Sequence, residues 1–379
     1  MRVLIATVTA GAGHLQAAAA LEEAWKTIRP NDTLQKLDVL NFTPRLYRKV
    51  YLEGYIKIVE HAPELWGHVF KKTDNPALVR KLGRSRRTLA KFTKGKFIRQ
   101  LKKFKPHVVL CTHYMPLEIM GLLRSKAHIK PEPLTVSIIT DFEAHALWME
   151  PGVNLYCVAA DETKARLVAR GVPEENVSVT GIPIAGKFSR TIDSAAVRKR
   201  YGLRDDLPIL LVLGGGFGMG PVAGIMQQLN KLETPVQIIV VCGRNEELRR
   251  ELAVVERRHP THVMGFVANM EEFLAVADLV LTKPGGLTTS EALALGKPIF
   301  VLNPIPGQEA ANSDFLLEHG AALKVNALED IPFRLQKLLG TPKLAEMSRI
   351  AKALGKPLAA PTICREVLER LEASGMLLP

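Results

Sequence analysis

Residues 282–291 hold a lysine, two adjacent glycines and a glutamate directly after an apolar run that predicts a β-strand. The glycines leave backbone N–H groups bare at the start of the helix that should follow, and such a helix start binds a diphosphate. Lys283 adds a positive charge there. Glu291 lies in the first turns of the helix, where its carboxylate can accept hydrogen bonds from both hydroxyls of a ribose. The helix dipole also favours an acid at this position, so Glu291 has a purely structural interpretation too.

A second polar loop runs from Pro304 to Asn312, after the next predicted strand. Gln308 and Glu309 are neighbours in this proline-stiffened loop, and an adjacent amide and carboxylate can hydrogen-bond vicinal sugar hydroxyls. The glycine turn Gly214–Gly220 follows another predicted strand and can approach the same phosphates. A phosphate site, a ribose acid and a sugar-binding pair in this order predict a site for a nucleotide-diphosphate sugar.

The N-terminal turn from Gly11 to His14 also joins a strand to a helix. Gly11 and Gly13, with Ala17, fit the opening of a dinucleotide-binding turn, and Asp38 stands where a ribose-binding acid would. His14 argues against a nicotinamide cofactor, because pyrophosphate needs bare backbone at that position. The positive end of a helix disfavours imidazolium, so a neutral His14 can accept a proton. A capping or packing role is the alternative for His14.

Short apolar runs alternate with helical patterns along the whole chain, as in buried parallel sheets. The pattern starts again after residue 190, so we predict two doubly wound α/β domains, 1–190 and 191–360, and a C-terminal helix in 361–379. The predicted strands are Val3–Ala6, Leu34–Val39, Val108–Cys111, Thr135–Ile139, Leu155–Ala159, Ile209–Leu213, Val236–Cys242, His262–Gly265, Leu279–Thr282 and Ile299–Leu302.

The block KPGGLTTSEALALGKPIF followed by NPIPGQEAAN resembles the nucleotide-sugar site of the diacylglycerol glucosyltransferases and monogalactosyldiacylglycerol synthases. It more distantly resembles the peptidoglycan N-acetylglucosaminyltransferase of the lipid II pathway. Three further stretches agree: GAGH at the N-terminus, Thr140-Asp141-Phe142 with His145 and Trp148, and ARGVPEENVSVTGIPI. The resemblance covers most of residues 1–330.

This resemblance implies a GT-B fold, with two Rossmann-like domains facing a cleft, and an inverting transfer from a UDP-sugar without a metal or other cofactor. His14 is the first choice for the catalytic base, and Asp141 is either the base or the residue that orients an imidazole. The acceptor side is assigned to Gly13, His145 and Trp148, although His145 and Trp148 can equally be structural. The donor side is assigned to Gly215, Gly216, Phe266 (through nearby backbone), Lys283, Gly285, Gly286, Thr288, Glu291, Gln308, Glu309 and Asn312.

The chain carries a formal net charge of +13, and its basic excess lies in one segment. Residues 45–105 hold 18 Lys/Arg against 4 Asp/Glu, interleaved with aromatic and leucine stripes. A solvated cationic face and nucleic-acid binding are possible interpretations, but there is no recognisable nucleic-acid-binding module. An interfacial helix needs this combination of charge and apolar stripes, so we expect residues 44–105 to dock on an anionic membrane and to bind no nucleic acid.

The most specific prediction is therefore a UDP-sugar-dependent hexosyltransferase whose acceptor is a membrane lipid, with diacylglycerol favoured. The alternatives are transfer of N-acetylglucosamine to another lipid-linked acceptor, a UDP-sugar epimerase, and a binding protein without turnover. No run of 18 apolar residues is present, and the four cysteines follow no disulfide spacing. We expect a cytoplasmic protein that is peripheral on the inner face of the cell membrane.

Overall fold

The computed structural model describes residues 1–9, 11–83, 95–125, 131–214, 221–302 and 304–375. The chain divides into two compact units. Unit 1 comprises Met1–Gly186, Ile305–Gln308 and Leu358–Pro379, and unit 2 comprises Lys187–Pro304 and Glu309–Pro357. The assignment of the acceptor side to the first half of the sequence and of the donor side to the second half stays a prediction.

Unit 1 contains a parallel sheet of six strands in the order β2-β1-β3-β4-β5-β6. Successive residues of β1 pack into different cores, Val3 and Ile5 on one face of the sheet and Leu4 and Ala6 on the other. The strands are β1 Arg2–Thr7, β2 Thr33–Asp38, β3 Val108–Cys111, β4 Leu134–Ile138, β5 Leu155–Val158 and β6 Val177–Val179.

The helices of unit 1 cover both faces of this sheet. Trp25 and Ile363 are fully buried in the core on one face, which shows that the last helix of the chain folds with the first. The helices are α1 Ala12–Ile28, α2 Arg45–His61, α3 Pro63–Thr73, α4 Gly95–Phe104, α5 Tyr114–Ser125, α6 Asp161–Ala169 and, at the other end of the chain, α15 Ala359–Ala373. Residues 76–83 are also helical.

Unit 2 contains a second parallel sheet of six strands, in the order β12-β11-β10-β7-β8-β9. Its strands are β7 Ile209–Leu213, β8 Gln237–Val241, β9 Thr261–Met264, β10 Leu279–Thr282, β11 Ile299–Leu302 and β12 Ala322–Val325. Its helices are α7 Ser194–Tyr201, α8 Val222–Leu229, α9 Glu246–Ala253, α10 Met270–Val276, α11 Gly286–Ala294, α12 Gln308–Glu318, α13 Ile331–Leu338 and α14 Pro342–Leu354. The doubly wound α/β class predicted from the sequence is confirmed.

The strand order of each sheet reverses at one point, and loops at the carboxyl ends of strands there form the ligand-binding crevice of such folds. In unit 1 the reversal lies between β1 and β3, and in unit 2 between β7 and β10. The N-terminal glycine turn follows β1, and the turn at Pro284–Gly286 follows β10. Both predicted sites therefore lie at the switch points of their own sheets.

Helix α14 fixes the far end of α11, the helix that begins at the Pro284–Gly286 turn. Lys352 Nζ donates to the carbonyl of Ala294 at 2.8 Å, and Ser348 Oγ donates to that of Gly296 at 2.6 Å. Gly355 follows α14 with an ordinary φ of −62°, but a Cβ there would lie 2.4 Å from the Leu293 carbonyl oxygen. Close packing of the two backbones, and not the turn conformation, requires this glycine.

Gly355→Ala should lower the free energy of unfolding by about 1–3 kcal/mol, because the added methyl forces α14 away from α11. Gly54→Ala is the matched control, since a Cβ at this helical position meets nothing within 4 Å. The control should be neutral or stabilise the protein by up to about 1 kcal/mol through helix propensity. Denaturant unfolding of both variants measures the difference, and equal stabilities would contradict the close approach.

Candidate functional site

His14 lies in the first turn of α1, where loops that follow three neighbouring strands meet. Its Nδ1 is 3.0 Å from Oγ1 of Thr140, the second residue after β4. Its carbonyl oxygen accepts hydrogen bonds from Thr7 Oγ1 and Thr112 Oγ1, both at 3.1 Å. The hydroxyl side chains at the ends of β1 and β3 therefore fix the backbone, and the hydroxyl after β4 holds the ring.

The ring of His14 is neutral over the physiological range. Burial lowers its pKa to about 4, although a hydrogen bond with the backbone of Thr112 counteracts part of that shift. The side chain is only half-buried, so a neutral nitrogen base is combined with access from solvent. The position at the start of α1 acts in the same direction, because the helix dipole disfavours a positive charge there.

The orienting partner of this imidazole is Thr140, a residue that the sequence analysis named only as part of a matching stretch and gave no role. It directly precedes Asp141, which the sequence analysis proposed as base or orienter. Asp141 is half-buried and next to this contact, and Gly13 is half-buried beside His14. Asp38 accepts hydrogen bonds from the backbone N–H of Leu40 at 2.9 Å and from Thr9, which indicates a role in closing the turn after β2.

His145 and Trp148 lie on the predicted acceptor side, but both are buried. His145 Nδ1 accepts from the N–H of Leu147 at 3.1 Å, so the proton is on Nε2, which lies 3.0 Å from the carbonyl oxygen of Phe70. Burial lowers the pKa of this imidazole. Trp148 is 5% exposed and packs in the core of unit 1. These contacts suit side chains that shape the loop, and direct contact with an acceptor stays a prediction.

A row of aromatic rings runs from His14 to helix α2. His113 meets the edge of His14 with ring centroids 4.8 Å apart, and its ring is tilted against that of Tyr114 at 4.3 Å. The hydroxyl of Tyr114 is 3.2 Å from that of Tyr51, which stacks on Tyr47. Burial raises the pKa of Tyr51, so its hydroxyl stays protonated. The row connects His14 with α2 through ring contacts and the contact between the hydroxyls of Tyr114 and Tyr51.

In unit 2, the turn before α11 has the features of an anion site. Gly285 is the N-cap, has extended backbone and makes no side-chain capping hydrogen bond. Asn312 is fully buried and donates from Nδ2 to the carbonyl of Pro284 at 3.0 Å, which fixes the turn from behind. Lys283, Gly285 and Thr288 are half-buried at the turn, whereas Gly286 is buried. Asn312, assigned to the donor side, thus has an evident structural task.

Glu291 is half-buried in α11, and burial raises the pKa of its carboxyl to about 8. The nearby Lys187 acts to lower this pKa, and Glu271 acts to raise it. Lys187 Nζ lies 2.6 Å from Glu271 Oε2, so these two opposite charges pair beside Glu291. Lys187 is a second side chain that the sequence analysis did not identify, because it lies far from the glycine motif along the chain.

The remaining donor-side residues are spread over several segments. Glu309 lies in the first turn of α12, with Oε1 3.9 Å from the position of a Cβ on Gly285. Phe266 is 63% exposed after β9, and the guanidinium of Arg244 lies 5.6 Å from its ring centroid. Gln308 belongs to unit 1, where its Oε1 accepts from Trp66 Nε1 at 3.4 Å. Gly215 and Gly216 lie outside the described residues.

Metal binding and membrane spanning each require a recognisable arrangement of residues. Among the residues that the structure describes, no three His, Cys, Asp or Glu side chains are grouped so as to hold a metal ion. Independence from a metal cofactor stays a prediction. None of the helices in the described part of the chain is both long and apolar enough to cross a bilayer.

Comparison with known sequences gives two family models and several relatives. Residues 14–184 match the monogalactosyldiacylglycerol (MGDG) synthase model, and residues 209–362 match the glycosyltransferase family 28 C-terminal domain. The chain is 30% identical to a processive diacylglycerol beta-glucosyltransferase of Bacillus licheniformis, over 98% of this chain and 95% of that protein. A protein of the same name from Bacillus pumilus is 34% identical, over 70% of this chain and 69% of its own length.

Comparison with solved structures confirms the expected GT-B fold. Acinetobacter baumannii MurG is similar with a TM-score of 0.62 and 18% identity, covering 97% of this chain and 99% of that one. The spinosyn rhamnosyltransferase SpnG has a TM-score of 0.63 at 16% identity, covering 97% and 100%. A UDP-N-acetylglucosamine 2-epimerase has a TM-score of 0.58 at 16% identity, covering 100% and 97%. Transferases and an epimerase share this fold, so the fold alone does not separate them.

An NMR titration of the imidazole signals should place the midpoint for His14 at about pH 4, because burial disfavours its charged form. Its signals should stay constant from pH 8 down to about pH 5, the range in which an ordinary histidine titrates. Assignment by a His14→Gln variant identifies the signal. A midpoint at or above the usual value of about 6.5 would contradict the neutral base.

Proposed function

Since the chain belongs to the family of the processive diacylglycerol beta-glucosyltransferases, we propose that it transfers a hexose from a UDP-sugar to diacylglycerol with inversion at the anomeric carbon. The chain is a glycosyltransferase with the GT-B fold, and its donor is a UDP-sugar and its acceptor a lipid. The identity of the lipid, the inversion and the residues that act are parts of the proposal. The assay below compares glucose, galactose and N-acetylglucosamine donors.

The observation that carries the proposal is the start of α11, with Glu291 further along the same helix. The first turn of α11 offers backbone N–H groups to a diphosphate, although the N–H of Gly285 itself donates to the carbonyl of Lys283 at 2.9 Å, and the buried Asn312 amide keeps the turn in place. Glu291 lies further along the same helix, and its carboxylate can accept hydrogen bonds from the hydroxyls of a ribose. In this proposal the helix N-terminus and Lys283 stabilise the negative charge of the departing UDP, which is the largest charge that develops in the reaction.

His14 is proposed as the general base. The acceptor hydroxyl attacks the anomeric carbon in line with the departing UDP, and its proton passes to the imidazole as the new glycosidic bond forms. In this proposal the His14 tautomer that acts as base carries its proton on Nδ1. Thr140 Oγ1 then accepts a hydrogen bond from Nδ1–H, and the lone pair of Nε2 is the one that takes up the proton. Since the pKa of His14 is about 4, the base form is complete at neutral pH and is lost as the pH falls through that value.

Glu291 is proposed to grip the ribose in its ionised form. Its pKa of about 8 in the ligand-free protein means that the carboxyl is mostly protonated at pH 7. Two donated hydrogen bonds from the ribose favour the carboxylate, so UDP binding should release a proton into solution near neutral pH. Lys187 favours the ionised form of Glu291, while Glu271, its partner in the ion pair, opposes it.

The acceptor reaches the enzyme from a membrane, and the exposed side of α2, α3 and residues 76–83 is the proposed docking surface. Of the described large apolar side chains that are exposed, more than half lie here: Leu46, Val50, Ile58, Leu65, Val69 and Leu82. The exposed basic residues of the same segments are Arg45, Arg48, Lys49, Lys57, Lys71, Lys72, Arg80 and Lys81. Each contributes about 1 kcal/mol at an anionic surface, and the apolar side chains add to that by insertion.

Transfer should be tested by incubating the protein with each UDP-sugar and diacylglycerol vesicles, followed by mass analysis of lipids and free sugars. His14→Ala should lower kcat by about 10²–10⁴-fold while UDP binding persists, because only the base is lost. Asp141→Ala decides whether that carboxylate is essential.

Glu291→Gln should weaken UDP binding at least tenfold in calorimetry, because charged hydrogen bonds to the ribose contribute about 1.5–3 kcal/mol. Free sugar from UDP-sugar alone, or full affinity for UDP in Glu291→Gln, would refute the proposal.

Membrane docking should be tested by co-sedimentation with phosphatidylcholine vesicles, with and without phosphatidylglycerol. Wild-type protein should bind the anionic vesicles and dissociate as the salt concentration rises, because the charges are exposed. The double variant Leu65→Glu, Val69→Glu should lose binding. Val254→Glu with Val255→Glu is the matched control, since these exposed apolar residues lie in unit 2. Equal binding to neutral vesicles, or loss in the control as well, would contradict the assigned surface.

A further inference from the structure

The loop after β4, Thr140–Trp148, is held in place by side chains from other elements of unit 1, and we call it the β4 loop. From the side of α6, Thr163 Oγ1 donates to the carbonyl of Phe142 at 2.6 Å. The guanidinium of Arg170, directly after α6, donates to the carbonyl of Ala144 at 3.2 Å. Both contacts lie in the first half of the loop, so its second half depends on other partners.

Helix α3 holds the second half of the β4 loop. Nε2 of His145 donates to the carbonyl of Phe70 at 3.0 Å, and the two rings pack with their centroids 4.4 Å apart. Asp74, the residue directly after α3, accepts a hydrogen bond from the backbone N–H of Ala146 at 2.7 Å. The outer side of α3 belongs to the proposed docking surface, so one helix combines membrane docking with a hold on this loop.

Asp74 also binds the two arginines on the side of α6. Its Oδ1 and Oδ2 accept from Arg170 at 2.7 and 2.8 Å, and Oδ2 accepts from Arg166 at 2.8 Å. Both arginines also contact the β4 loop. Burial alone would raise the pKa of Asp74, but the hydrogen bonds from Arg170 and its other donors hold it well below its usual value. One ionised carboxylate therefore joins α3, α6 and the β4 loop at neutral pH.

The beginning of the same loop orients the proposed base. Thr140 Oγ1 lies 3.0 Å from Nδ1 of His14, and this contact leaves Nε2 as the atom that takes up the proton. Release of the far end of the loop would let the whole segment shift, which takes Thr140 away from the ring and opens the ring to water. A misplacement of about 1 Å, even from a change far from the chemistry, can cost about 10²-fold in rate.

We propose that Asp74 is a positioning residue for the transfer reaction: it ties the β4 loop to the docking helix α3 and thereby keeps Thr140 on the imidazole of His14. The inference rests on the proposed function, because it takes His14 as the base. All of these residues belong to unit 1, whereas the nucleotide turn belongs to unit 2. We therefore expect the loss of Asp74 to change kcat and the titration of His14, and to leave the binding of UDP unchanged.

Two variants release the loop in different ways. Ala146→Pro removes the N–H that donates to Asp74 and keeps every charge. Ala146 begins a 3₁₀ turn, a position that accepts proline, and His145 before it has φ −72° and ψ 147°, the backbone region that a following proline requires. Asp74→Asn removes the charge that pairs with the two arginines. If Asp74→Asn does not fold, Ala146→Pro alone decides.

Both variants should lower kcat on diacylglycerol vesicles by about tenfold to 10²-fold and leave KM for the UDP-sugar within about twofold. In the NMR titration, the midpoint of His14 should rise from about pH 4 towards the usual value of about 6.5, because the ring loses burial. A merely structural role of Asp74 would lower the unfolding midpoint and leave the titration of the folded protein unchanged.

Glu22→Gln is the matched control, because Glu22 also pairs with two cationic side chains. Its partners Lys26 and Lys36 lie in α1 and β2, so the control removes the same kind of ion pairs at another place in unit 1. It should keep the midpoint of His14 at about pH 4. The same shift in Glu22→Gln as in Ala146→Pro would overturn the inference, because any lost contact would then move His14.

The double variant Leu65→Glu, Val69→Glu separates docking from positioning. It changes exposed side chains of α3, so it should lose vesicle binding and keep the midpoint of His14 at about pH 4 in solution. Unchanged kcat and an unchanged midpoint in folded Ala146→Pro would overturn the inference, while the loss of transfer in His14→Ala leaves the proposed function intact. Full activity of His14→Ala would refute the proposed base, and the inference with it.

Discussion

A single buried amide holds the turn on which the donor site depends. Asn312 donates to the carbonyl of Pro284, a residue that has no N–H of its own and lies just before the two glycines. Without that hydrogen bond a carbonyl would be buried unpaired, at a cost of about 1–3 kcal/mol. With it, the turn is held at the start of α11, where the N–H groups of the first helical turn have no acceptor within the helix. Lys352 and Ser348 fix the opposite end of this helix, so its positive end is presented by a rigid element.

In unit 1, side-chain hydrogen bonds likewise hold the proposed site in place, here around a histidine. Hydroxyl side chains after three neighbouring strands converge on one histidine, two on its carbonyl oxygen and one on its ring. The parallel sheet makes this convergence possible, because the carboxyl ends of its strands lie along one edge. Burial then keeps the ring neutral, which is the form that takes up a proton.

The strands and both glycine turns could be predicted from the sequence because central parallel strands are continuous apolar runs. The strands that were missed, β6 and β12, are short edge strands that are only partly buried, so neither is a continuous buried apolar run. The donor-side motif could also be predicted from the sequence, because its glycines and acids follow one another at fixed spacing. The contacts of Thr140, Lys187 and Trp66 could not be predicted, because their partners are distant in the sequence and meet them only in the folded chain. The burial of His145 and Trp148 depends in the same way on packing.

The last helix of the chain has a consequence for how the molecule is made. Helix α15 covers one face of the first sheet, where Ile363 and Val367 pack against Leu21 and Trp25. During translation the first unit leaves the ribosome without α15, and the apolar surface that this helix covers stays exposed until residues 359–373 emerge. The second unit needs no such late segment, since all of it precedes residue 358. The order of folding should therefore run against the order of synthesis, and a chaperone that shields apolar surface would act on the N-terminal half.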